Sequence, residues 1–95
     1  MENKIEKPDV KTGEWIHIGN SIIPVSAVVC NIYEGRQSGA DLEVVYMDGS
    51  KAINDDIIWD DGYWRFKNSG ASGGYADNSD RLSVFVNILR AGRRC

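Results

Sequence analysis

The chain has 95 residues and a formal net charge of −3 at pH 7, and 42% of its residues are hydrophobic. This length suits one domain rather than two, and the negative charge argues against a protein whose main task is to grip phosphate backbones. Ile and Val number 18 against three Leu. Because β-branched side chains favour strands, this ratio excludes a mostly helical bundle.

Nothing in the sequence resembles a targeting or membrane segment. The apolar runs fall far short of the roughly 18–20 residues that cross a bilayer. Residues 1–8 alternate in charge and lack the apolar stretch of a signal peptide. The two cysteines, Cys30 and Cys95, do not make a disulfide framework. We therefore expect a cytoplasmic protein with no membrane contact.

Residues 1–12 are polar, contain Pro8 and show no periodicity, which predicts a flexible N-terminal arm. A single β-rich domain over 13–95 follows. Its first two strands, Trp15–Ile18 and 21–25, flank a Gly-Asn pair, which is typical of a hairpin. Since Pro24 cannot donate to a ladder, the second strand is expected to lie at an edge or to break there.

The middle of the chain predicts further hairpins. A strand over 28–33 and a polar loop over 34–40 precede a strand over 42–47, which meets the turn signal Asp48-Gly49 and returns over 51–53. Residues 42–47 are partly apolar on both faces. We expect the core to cover one face, and a helix or a partner to cover the other.

A turn is predicted over 54–56, followed by a second hairpin rich in aromatic residues. Its strands are 57–59 and 63–67, joined by Asp60, Asp61 and Gly62. In the return strand Trp64 and Phe66 are the better candidates for the core. The small and polar residues 68–74 predict a flexible loop.

The last element fits two patterns. Leu82, Phe85, Val86 and Leu89 have helical spacing, whereas Leu82, Val84, Val86 and Ile88 alternate as a strand does. Helix signals surround the segment: Ser79 or Asn78 can cap its start, Asp80 suits a first turn, and Arg90 with Gly92 suits an end. These signals favour a helix over 80–90.

We therefore predict a mainly β (α+β) fold: a small antiparallel sheet of five to seven strands, strongly curled or closed as a barrel, with a C-terminal helix over one face. The predicted core is Trp15 or Ile16, with Ile18, Ile23, Val28, Ile32, Val44, Tyr46, Ile58, Trp64, Phe66, Leu82, Phe85, Val86 and Leu89.

No catalytic, metal-binding or cofactor-binding constellation stands out. The one histidine, His17, is interpreted as a partly exposed strand residue, and the apolar-flanked Cys30 as an unreactive buried cysteine, rather than as a catalytic dyad. Three Cys and His residues are too few for a structural zinc site, and the acidic pairs near Trp59 lack EF-hand spacing and suit turns. No phosphate-binding glycine motif is present. We expect no enzyme and no cofactor.

Residues 59–71 carry one resemblance. They run Trp, a Gly turn, a Tyr-Trp-Arg-Phe strand and then Asn-Ser-Gly-Ala, and this segment resembles one repeat of the choline-binding proteins of cell walls. That family binds choline between successive repeats. The resemblance implies a carbohydrate or cell-wall ligand site on Trp59, Tyr63 and Trp64. The alternative is that these aromatic rings form part of the core.

A second resemblance covers about residues 14–53, with 80–90 as its helix. The hairpin at 15–25 and the Asp-Gly-Ser turn at 48–50 are similar to small proteins of bacterial and phage accessory genes, in which a hairpin meander precedes a helix. This resemblance implies a fold and a bacterial, mobile-element origin rather than an activity.

These observations predict a small non-enzymatic binding protein that forms a homo-oligomer, such as a homodimer, through an edge strand or the C-terminal helix. The aromatic ligand module is the first alternative. The second is a nucleic-acid-binding accessory protein that uses Arg90, Arg93 and Arg94. The acidic residues of the arm and the negative net charge count against this second alternative.

Overall fold

The computed structural model describes residues 7–19, 22, 24–34, 39–67, 74–77 and 79–92. Its elements in chain order are the strands β1 (Trp15–Ile18), β2 (Val25–Ile32), β3 (Leu42–Asp48), β4 (Lys51–Trp59), β5 (Trp64–Phe66) and β6 (Gly74–Tyr75), a 3-10 turn (Asp80–Leu82) and the helix α1 (Ser83–Ala91). The predicted mainly β fold with a C-terminal helix is confirmed.

The first five strands bond in a ring. β1 pairs with β2, β2 with β3, β3 with β4 and β4 with β5, all antiparallel, and β5 returns to β1 in parallel. Strands of a meander alternate in direction, so the first and fifth of five run the same way and can close the ring only as a parallel pair. The ring is therefore antiparallel except at this one seam, where Ile18 lies beside Trp64 in a parallel pair.

One face of the ring forms the inner core. Its buried side chains come from all five strands and include Ile16, Ile18, Val44, Tyr46 and Trp64, as predicted. The largest inward residues that the prediction missed are Leu42, Ile53 and Ile57, of which Leu42 and Ile57 are almost fully buried.

The outer face of β2 and β3 carries a second core under α1. Val28, Cys30 and Val45 pack there against Leu82, Val86 and Leu89. This arrangement confirms that both faces of residues 42–47 are covered and that a helix covers the second one. The same face is therefore not free to bind a partner.

The predicted turn over 54–56 is wrong, because β4 runs without a break from Lys51 to Trp59. Side-chain partners stabilise its polar centre: the Asn54 amide donates to Glu43 and to the Val44 carbonyl, and Asp56 accepts the Tyr33 hydroxyl. A continuous strand places every second residue on the same face. Ile57, not the predicted Ile58, therefore joins Ile53 in the inner core.

Two other predictions change with the strand ends. Pro24 precedes the first residue of β2, so the strand over 21–25 does not extend back through it. Ile32 is 40% exposed at the end of β2 and does not belong to the core.

The predicted turn at Asp48-Gly49 is present, with Asp48 paired to Lys51 and Gly49 at φ +66°.

The helix ends where its sequence predicts. Gly92 adopts φ +84° and donates its backbone N–H to the Leu89 carbonyl, as a terminating glycine does. At the other end, Ser79 precedes the 3-10 turn without a side-chain capping bond. Predictions that concern Asn20, Ser21, Ile23, Asn78 and the ranges 1–6, 35–38, 68–73 and 93–95 lie outside the described residues.

Candidate functional site

A pocket lies at the end of the ring where β2 finishes and β3 and β5 begin. Its volume is about 340 Å³. Ile32, Leu42 and Trp64, each the terminal residue of its strand, supply apolar walls, and residues 33–34 continue the lining beyond β2. Residues 7–10 form the remaining wall. The pocket is therefore built from segments that are far apart in sequence.

An ion pair holds the outer end of the segment 7–10. The Lys7 ammonium lies 3.3 Å from Oδ1 of Asp41, whose side chain is 5% exposed. The other carboxylate oxygen, Oδ2, accepts the backbone N–H of Trp59 at 2.8 Å. Asp41 thus joins the N-terminal segment to the end of β4.

The inner end of this segment is attached to the sheet. Val10 packs against the inner core, and Gly13 donates its backbone N–H to the Val29 carbonyl at 2.8 Å. The backbone N–H of Lys11 is bonded to the Glu14 carboxylate at 2.7 Å. Pro8 and Asp9, which lie between the two attachments, form the middle of the pocket wall.

Tyr33 links the pocket to a polar cluster on the neighbouring strands. Its hydroxyl donates to Oδ1 of Asp56 at 2.9 Å. Burial and the hydrogen bond to Asp56 raise the pKa of this phenol far above its ordinary value. The hydroxyl therefore stays protonated well into the alkaline range and remains a donor to Asp56.

The centre of that cluster is Glu43, a buried carboxylate on the outer face of β3. The two terminal guanidinium nitrogens of Arg81 donate to it, at 2.8 and 2.9 Å, and the Asn54 amide donates a further bond at 3.1 Å. The hydrogen bonds from Arg81 hold the pKa of Glu43 below its usual value. Since Arg81 lies in the 3-10 turn before α1, this pair attaches the helix to the sheet.

Cys30 lies on the same outer face and is buried under the helix. Burial raises the pKa of its thiol to about 12, so the thiol stays protonated and is a poor nucleophile. His17 pairs with Ser26 in the ladder. Four residues of strand, roughly 13 Å, separate Ser26 from Cys30. The two residues are not placed as a dyad.

The three aromatic residues predicted from the cell-wall resemblance have unequal positions. Trp64 is 4% exposed and belongs to the inner core, and it also lines the pocket. Trp59 and Tyr63 are half-buried. The Trp59 and Trp64 rings meet edge to face, with their centroids 5.0 Å apart. They form a packed pair rather than an open stacking surface, and the ligand role of all three residues stays a prediction.

Of the predicted nucleic-acid residues, Arg90 is described, whereas Arg93 and Arg94 lie outside the described residues. Arg90 forms an ion pair with Asp77 and donates to the Ser50 carbonyl at 3.3 Å. Its charge is thus balanced within the fold. A role of these arginines in binding nucleic acid stays a prediction.

Sequence reasoning missed the pocket. The sequence predicts a flexible arm for residues 7–10, a core position for Ile32 and a strand position for Leu42, and none of these predictions indicates a pocket. One signal was present: Asp41 is a carboxylate directly before an apolar strand, and a buried carboxylate needs a partner. Nothing in the sequence indicates that the partner is Lys7.

Among the described residues, no group of three or more His, Cys, Asp and Glu side chains could hold a metal ion. In that part of the chain, no helix has the length and apolar character that crossing a bilayer requires. No family model, curated protein or solved structure matches this chain. Both resemblances noted in the sequence therefore stay predictions.

Proposed function

We propose that this is a small non-enzymatic binding protein whose ligand occupies the pocket at the end of the strand ring. The observation that carries the proposal is the composition of the pocket, which combines apolar walls from Ile32, Leu42 and Trp64 with an exposed polar rim. That rim consists of Lys7, Asp9 and Glu34. Ligand sites combine these features, because burial of apolar area supplies affinity and a few polar groups fix orientation. The volume of about 340 Å³ suits a small ligand.

The surroundings support binding rather than chemistry. A candidate nucleophile and a candidate base must lie within hydrogen-bonding reach of each other. The described Cys30 is buried under α1, on the outer face of the sheet, whereas the pocket opens at the ring end. Among the described residues, the titratable groups that line the pocket are Lys7, Asp9, Tyr33 and Glu34, and they include neither Cys nor His.

Filling the pocket tests the proposal. Ile32→Phe places a larger side chain at the pocket wall, and Val25→Phe makes the same change at the opposite end of β2, where exposure is 37% against 40% for Ile32. A library of small aromatic and aliphatic fragments would be titrated against methyl-labelled protein. We expect shifts that cluster on Ile32 and Leu42 in the wild type. The Leu42 shifts should disappear in Ile32→Phe and persist in Val25→Phe. Equal shifts in both variants would place the binding elsewhere.

We also propose a homodimer, and α1 is the better of the two predicted interfaces. Closure of the ring leaves β6, with two residues, as a very short outer strand in the described sheet. On α1, by contrast, Val84 is 63% exposed and Ile88 lies one turn away and half-buried. An apolar strip along a helix can pack against its own copy about a two-fold axis.

Sedimentation at micromolar concentration tests the dimer. Val84→Glu should yield a 10.6 kDa monomer, because it would bury a charge in the helix interface. Tyr75→Glu changes the exposed β6 and should leave the dimer intact. A monomeric wild type would remove the dimer proposal, and dissociation by Tyr75→Glu alone would move the interface to the sheet edge.

A cytoplasmic location and an origin in bacterial accessory genes complete the proposal. The described Cys30 is a free thiol, which is usual in a reducing compartment. The origin depends on the resemblance of residues 14–53 and 80–90 alone. Fractionation of the producing cells tests the location.

A further inference from the structure

Negative charges outnumber positive charges in the lining of the pocket. Its lining contains one cation, Lys7, and two carboxylates, Asp9 and Glu34. The charge of Lys7 is already balanced, because its ammonium lies 3.3 Å from the buried Asp41 carboxylate. Among the described residues of the rim, no cationic side chain is therefore left to bind an anionic ligand.

A further carboxylate lies behind the lining. Asp56 accepts the Tyr33 hydroxyl at 2.9 Å, so a third carboxylate is bonded to a residue of the pocket lining. Asp9 and Glu34 are both exposed, and they attract a cation at the mouth without a large cost of dehydration.

Two aromatic side chains, Tyr33 and Trp64, contribute to the same wall. Aromatic faces carry partial negative charge and attract organic cations, and this attraction is strongest where water is excluded. Apolar side chains from Ile32 and Leu42 complete the wall. The acidic rim and the aromatic and apolar walls together fit one kind of ligand.

We propose that the pocket binds a compact organic ammonium ion with an apolar body. The body lies against Ile32, Leu42 and Trp64, and the ammonium group lies between the Tyr33 ring and the carboxylates of Asp9 and Glu34. This inference rests on the proposed binding function and adds the chemical class of the ligand.

Three probes of similar shape and different charge test the ligand class. Benzylammonium, benzyl alcohol and benzoate would each be titrated while the methyl groups of Ile32 and Leu42 and the Trp64 indole N–H are followed by NMR. Two exposed carboxylates should favour benzylammonium over benzyl alcohol by about five-fold, and benzoate should bind more weakly than either. Raising the ionic strength from about 0.05 M to about 0.5 M should reduce that preference.

Variants assign the preference to the rim. Asp9→Asn combined with Glu34→Gln should reduce the preference for benzylammonium to less than about two-fold. Asp48→Asn removes a charge from the opposite end of β3 and should leave the preference unchanged. All three positions are exposed, so the fold should be retained, and the methyl spectrum checks this.

The outcomes separate the two proposals. If benzyl alcohol or benzoate shifts the pocket residues with an affinity equal to that of benzylammonium, the cation inference is overturned and the binding function stands. Full preference in the double variant overturns the inference as well. If none of the three probes shifts Ile32, Leu42 or Trp64, both the ligand class and the pocket as a binding site are overturned.

Discussion

The Lys7 ammonium and the Asp41 carboxylate form an ion pair whose two members differ in environment. Their atoms lie 3.3 Å apart, yet the Lys7 side chain is half-exposed and that of Asp41 is buried. Asp41 also accepts the backbone N–H of Trp59. The aspartate therefore has a structural role at the end of the sheet, while the lysine fastens the N-terminal segment to it.

This asymmetry predicts unequal effects of substitution. Lys7→Met should lower the free energy of unfolding by less than about 1 kcal/mol, because the lysine is solvent-accessible. It should also accelerate amide exchange at Asp9 and Val10. Asp41→Ala should lower the free energy of unfolding by about 2–3 kcal/mol, because it leaves the Trp59 N–H without that acceptor. Urea unfolding and hydrogen exchange measure both, and equal losses in the two variants would contradict the asymmetry.

The Glu43–Arg81 pair predicts a pH-dependent stability. The pKa of Glu43 is lowered in the folded protein from an ordinary value of 4.5. Its contribution is therefore complete above about pH 5 and is lost as the pH falls through the folded pKa. Arg81→Met should lower the free energy of unfolding by about 1–3 kcal/mol at pH 7. The difference from wild type should shrink towards pH 3 in urea titrations.

Arg65 provides the control for that experiment. It forms an ion pair with Asp60 at 2.9 Å, but both side chains are about half-exposed. Arg65→Met should therefore change the free energy of unfolding by less than about 0.5–1 kcal/mol. If Arg65→Met lowers the free energy of unfolding as much as Arg81→Met does, burial of Glu43 does not explain the stability that the Glu43–Arg81 pair contributes.

Two tyrosines predict opposite results for the same substitution. The Tyr46 hydroxyl is buried in the inner core and has no hydrogen-bond partner among the described residues. Tyr46→Phe removes a buried polar atom and should be neutral or raise the free energy of unfolding by up to about 1 kcal/mol. Tyr33→Phe deletes the bond to Asp56 and should lower it by about 0.5–1.5 kcal/mol. Thermal unfolding of the two variants tests both expectations, and a loss of stability in Tyr46→Phe as large as that in Tyr33→Phe would contradict them.

The environment of Cys30 predicts an unreactive thiol. Its pKa is raised to about 12 by burial, so almost no thiolate is present at pH 8. In a Cys95→Ser background, native protein should react with a disulfide reagent only as fast as it unfolds, and urea should restore the ordinary rate. Rapid labelling of the native protein would contradict both the burial of Cys30 and its position under α1.

The sequence predicted the elements whose signals are local. The hairpin at Asp48-Gly49 follows from a turn that requires positive φ, and α1 follows from an apolar stripe that ends at Gly92. Trp64 was placed in the core because it alternates with polar neighbours in a short strand. Such patterns depend on the backbone period and need no knowledge of the rest of the chain.

Where the prediction failed, partners distant in sequence decided the structure. Asn54 and Asp56 look like turn residues, but Glu43 and Tyr33 supply hydrogen bonds that keep them in β4. A strand that continues through them turns Ile57 inward instead of Ile58. The pocket was missed for the same reason, since its walls come from residues 7–10 and from the ends of three strands.

The 18 Ile and Val against three Leu determined by themselves that this chain forms strands, because β-branched side chains suit a pleated surface. The spacing of its Gly turns determined that those strands follow one another as hairpins. Closure was decided only in three dimensions, where the parallel contact of Ile18 with Trp64 joins the first strand to the fifth. No local sequence pattern indicates that these two residues will meet. Their contact closes the ring around the inner core, and the pocket lies at one end of that ring.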